Sequence, residues 1–192
     1  PKTRLTRATP TAEIAKAALE VLSSRDLMGA LGYLQQGDAW LFDLQAVGDK
    51  SMMRNTIDTQ SRNLGDMPDT GPTLQMAYNA LKNADAGVKR AILISDGDPA
   101  APPSSYLSAF KQAGISVSTI CINPHSNSDQ TMLRNLAKAT GGEYYFVNDP
   151  RKLPQIFAKE ASVVRMGVFR EVGFVPQVLH NSEILSGLAA TA

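Results

Sequence analysis

The stretch Val88-Lys89-Arg90-Ala91-Ile92-Leu93-Ile94-Ser95-Asp96-Gly97-Asp98-Pro99 constrains the fold more than any other part of this chain. A short apolar run stops abruptly at two acids around a glycine. A continuous apolar run of this length suits a strand buried on both faces, and such strands belong to parallel sheets with helices above and below. Their carboxyl ends open into the crevice where α/β sheets bind ligands. Hard carboxylate oxygens placed there favour a divalent cation such as magnesium. Asp-Gly and Asp-Pro are also ordinary turn pairs after a strand, so both readings stand at this point.

Helix and strand patterns alternate along the rest of the chain. Thr11 reads as the cap of a helix to about residue 23, with Ile14, Ala18, Val21 and Leu22 on one face. Residues 27–34 read as a buried strand and Gln35-Gln36-Gly37-Asp38 as a turn. Residues 39–47 return antiparallel, with Trp40, Phe42 and Leu44 alternating against polar neighbours. A helix covers 50–60, a loop follows over 63–71, and Pro72 opens a helix with Leu74, Ala77, Tyr78 and Leu81 on one face. After the strand at 89–95 and a loop at 99–103, Ser104 caps a helix that Gly114 stops. Residues 115–122 form the next strand. Asp129 caps a helix carrying Met132, Leu133, Leu136 and Ala137, ended by Gly141-Gly142 and followed by an aromatic strand over 143–147. Asp149-Pro150 starts a last helix with Leu153, Ile156, Phe157, Ala161 and Val164 inside.

This order predicts an α/β fold: an open, mostly parallel, doubly wound (Rossmann-like) sheet with one antiparallel edge strand and helices on both faces. Residues 1–166 form the domain, and residues 167–192 a C-terminal extension or linker. Phe169 and Phe174 there read either as the packed end of the domain or as an interface.

Composition removes several function classes. A chain that is 43% hydrophobic and 19% charged describes a globular domain. A net charge of +1 gives no basic face for nucleic acid. No run of about eighteen apolar residues offers a membrane-spanning helix. The first ten residues have no apolar centre and so are no signal peptide. The chain begins without Met and reads as an excised or processed piece. The single cysteine, Cys121, rules out an internal disulfide and suits a small core side chain rather than a catalytic thiol. Neither a phosphate-cradling Gly-x-x-x-x-Gly-Lys nor a Gly-x-Ser-x-Gly elbow occurs. The chain is therefore expected not to be an enzyme. The alternative is a magnesium-dependent phosphoryl-transfer enzyme using Asp96-Gly97-Asp98. It would need further acids converging on the site, where the other strand ends offer only Asn123, Asn148 and Asp149.

From about residue 11 to residue 164 the chain resembles a von Willebrand factor type A domain. Asp26-Leu27-Met28-Gly29-Ala30-Leu31-Gly32-Tyr33 is similar to the family's second strand, and residues 39–47 to its antiparallel third. The segment from Asp69-Thr70-Gly71-Pro72-Thr73 to Ala77 is similar to the opening of its third helix. Residues 92–98 are similar to its fourth strand, and Thr140-Gly141-Gly142-Glu143-Tyr144-Tyr145 to its late double-Gly turn and strand. The resemblance implies a protein-binding module, part of a larger, often bacterial and sometimes membrane-anchored protein, whose partner is another protein or a neighbouring domain. The compartment is left open.

The resemblance also implies a magnesium site at the top of the sheet, built from a first-strand Asp-x-Ser-x-Ser, a loop threonine and a fourth-strand Asp. Asp96 holds the last of these positions. Pro68 stands where the threonine is expected, with Thr70 and Thr73 nearby. Asp49-Lys50-Ser51 imitates part of the first motif but follows the hairpin and reads as a helix cap. The metal residues are thus Asp96, Thr70 and Thr73, in a degenerate adhesion site. The loops expected to meet a partner are 64–73, 96–103 and 123–129.

With no first strand before the first helix, the second and fourth strands would carry unpaired backbone groups, which are costly when buried. Three arrangements answer this. Residues 167–175 pair within the chain, or they swap into a neighbouring copy as a homodimer, or the two strands close on each other. Residues 1–9 are too polar for the task.

Overall fold

The computed structural model describes residues 8–65, 67–95, 100–122, 124 and 127–166. In chain order these form α1 (Ala8–Val21), β1 (Leu27–Leu34), β2 (Gly37–Ala46), α2 (Lys50–Gln60), a 3-10 turn at Ser61–Asn63, and α3 (Thr70–Asn83). Then come β3 (Lys89–Ser95), α4 (Ser104–Gln112), β4 (Ile115–Ile122), α5 (Asn127–Thr140), β5 (Tyr144–Val147), a 3-10 turn at Pro150–Lys152, and α6 (Leu153–Met166).

Strands β3, β4 and β5 lie parallel in that order, with Ile92 opposite Ser118 and Thr119 opposite Tyr144. The period-2 pleat splits β4 cleanly. Ile115, Val117 and Cys121 pack under α3, α4 and α5, with Leu74, Phe110, Leu133 and Leu136. Ile120 faces the other way, against Ala18 of α1 and Leu153 and Phe157 of α6. Each fully buried leucine here contributes about 2 kcal/mol through apolar area removed from water. Cys121 is a buried core side chain.

The sheet expected to be continuous is in two parts among the described residues. β1 and β2 form an antiparallel hairpin of their own, and β3 pairs only with β4. Direct closure of β1 on β3 therefore does not occur. β3, read as a buried strand, fully buries only Leu93, and β1 only Gly32. Helix α1 joins the two parts: Leu19 and Leu22 pack on Phe42 and Val47 beside β2, while Ala18 reaches Ile120 of β4. The segment 167–175, read as a substitute strand, lies outside the described residues, as do residues 1–7.

Five helix starts differ from expectation. Helix α1 begins at Ala8, so Thr11 is inside it rather than its cap. Helix α3 begins at Thr70, not Pro72, and Asp69 caps it by accepting from the Gly71 amide at 2.8 Å. Helix α5 begins at Asn127, which places Asp129 within it. Ser104 is likewise the first residue of α4 rather than its cap; Pro103 holds the cap position with no side-chain hydrogen bond. Before α6, Asp149-Pro150 leads into the 3-10 turn, and α6 itself starts at Leu153.

Asp49 is a helix cap, as read. Its Oδ1 accepts from the amides of Ser51 at 2.8 Å and Met52 at 3.1 Å, satisfying two of the donors a helix start leaves free. Asp49→Ala is expected to cost about 1 kcal/mol. Equilibrium urea unfolding checks this, and an unchanged midpoint would show that water serves those amides equally well.

Candidate functional site

The carboxyl ends of β3 and β4 carry the loops that precede α4 and α5, and the loop that precedes α3 lies against the first of these. Two of these loops are sewn together. Ala100 donates its amide to the Pro68 carbonyl at 3.1 Å, and its own carbonyl accepts from the Thr70 amide at 3.4 Å and from Thr70 Oγ1 at 2.9 Å. Asp69 and Ala100 form an isolated parallel bridge at the same place. Thr70 is fully buried, so its hydroxyl needs this carbonyl.

The second predicted hydroxyl goes elsewhere. Thr73 Oγ1 donates to Asp38 Oδ1 at the start of β2 and also approaches the Met67 sulfur at 3.8 Å. This contact ties α3 to the hairpin. A second tie is the Gly65 amide, which donates to the Tyr33 carbonyl at 2.7 Å beside a bridge between Leu34 and Leu64. The hairpin end, the loop before α3 and the loop before α4 thus form one stitched surface. Asp38 was not read as a site residue; it sits 35 positions from Thr73 in sequence, and no local pattern links the two.

Of the three residues read as metal ligands, Thr70 and Thr73 stand on this surface with their hydroxyl protons committed to a carbonyl and a carboxylate. Asp96 lies outside the described residues, as do Asp98 and Asn123. No group of three His, Cys, Asp or Glu that could hold a metal occurs among the described residues. Magnesium demands near-octahedral oxygen coordination at short distance. Two carboxylates already engaged, Asp38 by Thr73 and Asp69 by the Gly71 amide, do not supply it, so the described residues alone do not fit the ion.

Beside the stitched loops lies an open cleft. Pro102, Leu107, Met132 and Leu136 give it an apolar floor, and Ser128 and Thr131 are on its rim. It is framed by the loop before α4, by α4 at Leu107 and by α5 from Ser128 to Leu136.

Comparison with known proteins agrees with this architecture. The family model described as von Willebrand factor type A domain matches residues 15–159. Among solved structures, a von Willebrand factor type A protein from Catenulispora acidiphila superposes with a TM-score of 0.64 at 20% identity, covering 82% of this chain and 38% of that one. The conserved hypothetical protein BatB from Bacteroides thetaiotaomicron gives a TM-score of 0.64 at 14% identity, covering 85% of this chain and 90% of that one. An aerotolerance-related membrane protein from Bacteroides fragilis gives 0.64 at 11% identity, covering 83% and 90%. The chain thus spans well under half of the Catenulispora protein but most of the other two. No curated protein sequence matches. None of the described helices is long and apolar enough to cross a membrane. On the match over residues 15–159 and the α/β layers beneath it, the chain belongs to the von Willebrand factor type A family, whose domains are protein-interaction modules.

Proposed function

We propose that this domain docks a protein partner, or a neighbouring domain of a larger bacterial protein, through the stitched loops at the carboxyl ends of its strands, without catalysis. The observation that carries this reading is the apolar-floored cleft of Pro102, Leu107, Met132 and Leu136 beside those loops. A partner's apolar side chain would rest against that floor. A membrane-anchored parent protein belongs to the same proposal, motivated by the fold shared with the Bacteroides fragilis membrane protein.

The metal site belongs to the proposal in degenerate form. Asp96, Thr70 and Thr73 are its residues, but the commitment of both threonine hydroxyls favours a docking surface that does not need magnesium. Partner recognition is then expected to survive chelation.

Position-specific photocrosslinking in the native host tests the surface. A photoreactive residue replacing Thr131, exposed at the cleft, is expected to give a discrete protein adduct. The same residue replacing Lys82, exposed on the last turn of α3 at the opposite end of the domain, is expected to give none. Adducts from position 82 and not from 131 would place the partner elsewhere.

A further inference from the structure

Helix α6 holds the sheet by one carboxylate as well as by apolar contacts. Glu160 is 1% exposed. Its Oε1 accepts from the Tyr145 hydroxyl at 2.6 Å; its Oε2 accepts from Ser118 Oγ at 2.8 Å and from Arg90 Nη1 at 2.5 Å. These partners stand on β5, β4 and β3, so one side chain is fastened across all three parallel strands. Arg90 Nη1 also donates to Ser118 Oγ at 3.3 Å, and the Glu143 amide donates to the same oxygen at 3.1 Å. Arg90 Nε is buried with no partner among the described residues.

We propose that Glu160 is an axial register lock for α6, admitting one seating of the helix on the sheet. The apolar contacts cannot do this alone. Leu153, Phe157 and Ala161 recur at helical spacing, and sliding a helix by one turn, about 5.4 Å, exchanges one apolar contact for another. The carboxylate breaks that degeneracy because it is the only acid in α6. A one-turn slide brings Ile156 or Phe157 from one side, or Val163 or Val164 from the other, to the position of Glu160. Arg90, Ser118 and Tyr145 would then lose their acceptor inside the protein. Buried ion pairs add little stability over apolar residues of similar volume, and their attested use is to select one arrangement among several. Arg90 Nε, without a partner among the described residues, agrees with a network kept for selection rather than for maximal stability.

The test removes the whole network and reads the seating. In the full chain, Glu160→Leu is combined with Arg90→Met, Ser118→Ala and Tyr145→Phe. Spin labels on cysteines introduced at Gln155 and Lys82, both exposed and at opposite ends of the domain, report the axial position of α6 by pulsed dipolar spectroscopy. The parent is expected to give one narrow distance. The apolar variant is expected to melt within a few degrees of the parent yet give a broadened or split distribution, with a component displaced by about one helical turn. A folded apolar variant with the parent's single narrow distance overturns the proposal. If the fourfold variant does not fold, Tyr145→Phe with Ser118→Ala decides. Amide exchange in α6 rising tenfold or more relative to β4 supports the lock, and exchange unchanged relative to β4 overturns it.

Discussion

Gly142→Ala is expected to destabilise the domain by at least about 3 kcal/mol, a large share of the 5–15 kcal/mol that holds a typical domain folded. A Cβ at this position would lie 2.1 Å from the Val117 carbonyl oxygen, 2.4 Å from its carbon and 2.7 Å from the Ser118 nitrogen. All three are backbone atoms of β4, the middle strand of the parallel sheet, so no side-chain rotation relieves the clash. The close approach is built by the turn itself. Gly141 adopts φ of 77°, a left-handed conformation that ends α5, and the Gly142 amide returns to the Ala137 carbonyl at 2.9 Å. Thr140 Oγ1 then accepts from the Val117 amide at 3.0 Å, and the Thr119 amide donates to the Glu143 carbonyl at 2.8 Å, seating the turn on the strand. Gly87→Ala is the control, because a Cβ there meets nothing within 4 Å; it is expected to shift stability by less than about 0.5 kcal/mol. Urea unfolding midpoints for the two variants decide, and equal midpoints would mean that the sheet yields to the turn.

Glu160→Ala is expected to cost about 3–5 kcal/mol, since it strands the Arg90 charge in a buried site rather than removing a balanced pair. The pH dependence gives the same network a signature. Burial pushes the Glu160 carboxyl up, but hydrogen bonds from Tyr145, Arg90 and Ser118, with the Arg90 charge, outweigh it and hold the group below its ordinary value of 4.5. A lowered folded value means that this stability is fully present above 4.5 and drains away as pH falls through the folded value. Tyr145 works at the other limit. Burial first, and then its hydrogen bond to Glu160, raise its hydroxyl above the ordinary 10.0. Its contribution is complete below pH 10 and is lost as pH rises toward the raised value. Melting temperature against pH is therefore expected to fall at both ends in the parent, and the acid limb is expected to flatten in Glu160→Gln. Parallel acid limbs would show that other carboxylates govern acid unfolding.

The sequence patterns carried most of the frame, and two of their failures share a cause. Residues 27–34, 50–60, 89–95 and 115–122 have the bounds that periodicity and turn residues indicate. Helices α1 and α3 begin two or three residues before the residue read as their start, and in both a proline, Pro10 or Pro72, occupies the third helical position. A proline anywhere in the first turn lacks only an amide that has no partner there, so it marks the turn and not its first residue. The broken sheet was half legible: residues 1–9 are too polar to read as a strand, but no local pattern says that β1 and β3 stay apart. The Glu160 network was invisible locally, because its partners lie 70, 42 and 15 positions away. One signal did exist: Glu160 falls among Leu153, Phe157 and Ala161 on the inner face of α6, where an acid has no place unless it is paired. At the loops, Thr70 and Thr73 could be named as hydroxyls near the site, but their directions depend on Ala100 and Asp38, which only the fold brings near.

The central claim, a docking module with a degenerate metal site, meets its most direct test in calorimetric titration of this chain with magnesium and manganese, with thermal unfolding alongside and Asp96→Ala as the paired variant. The account predicts no saturable heat and no rise in melting temperature at millimolar cation, in either protein. Saturable binding that raises the melting temperature of the parent and is lost in Asp96→Ala would contradict it, and would make Asp96 a working ligand of a cation-dependent docking surface.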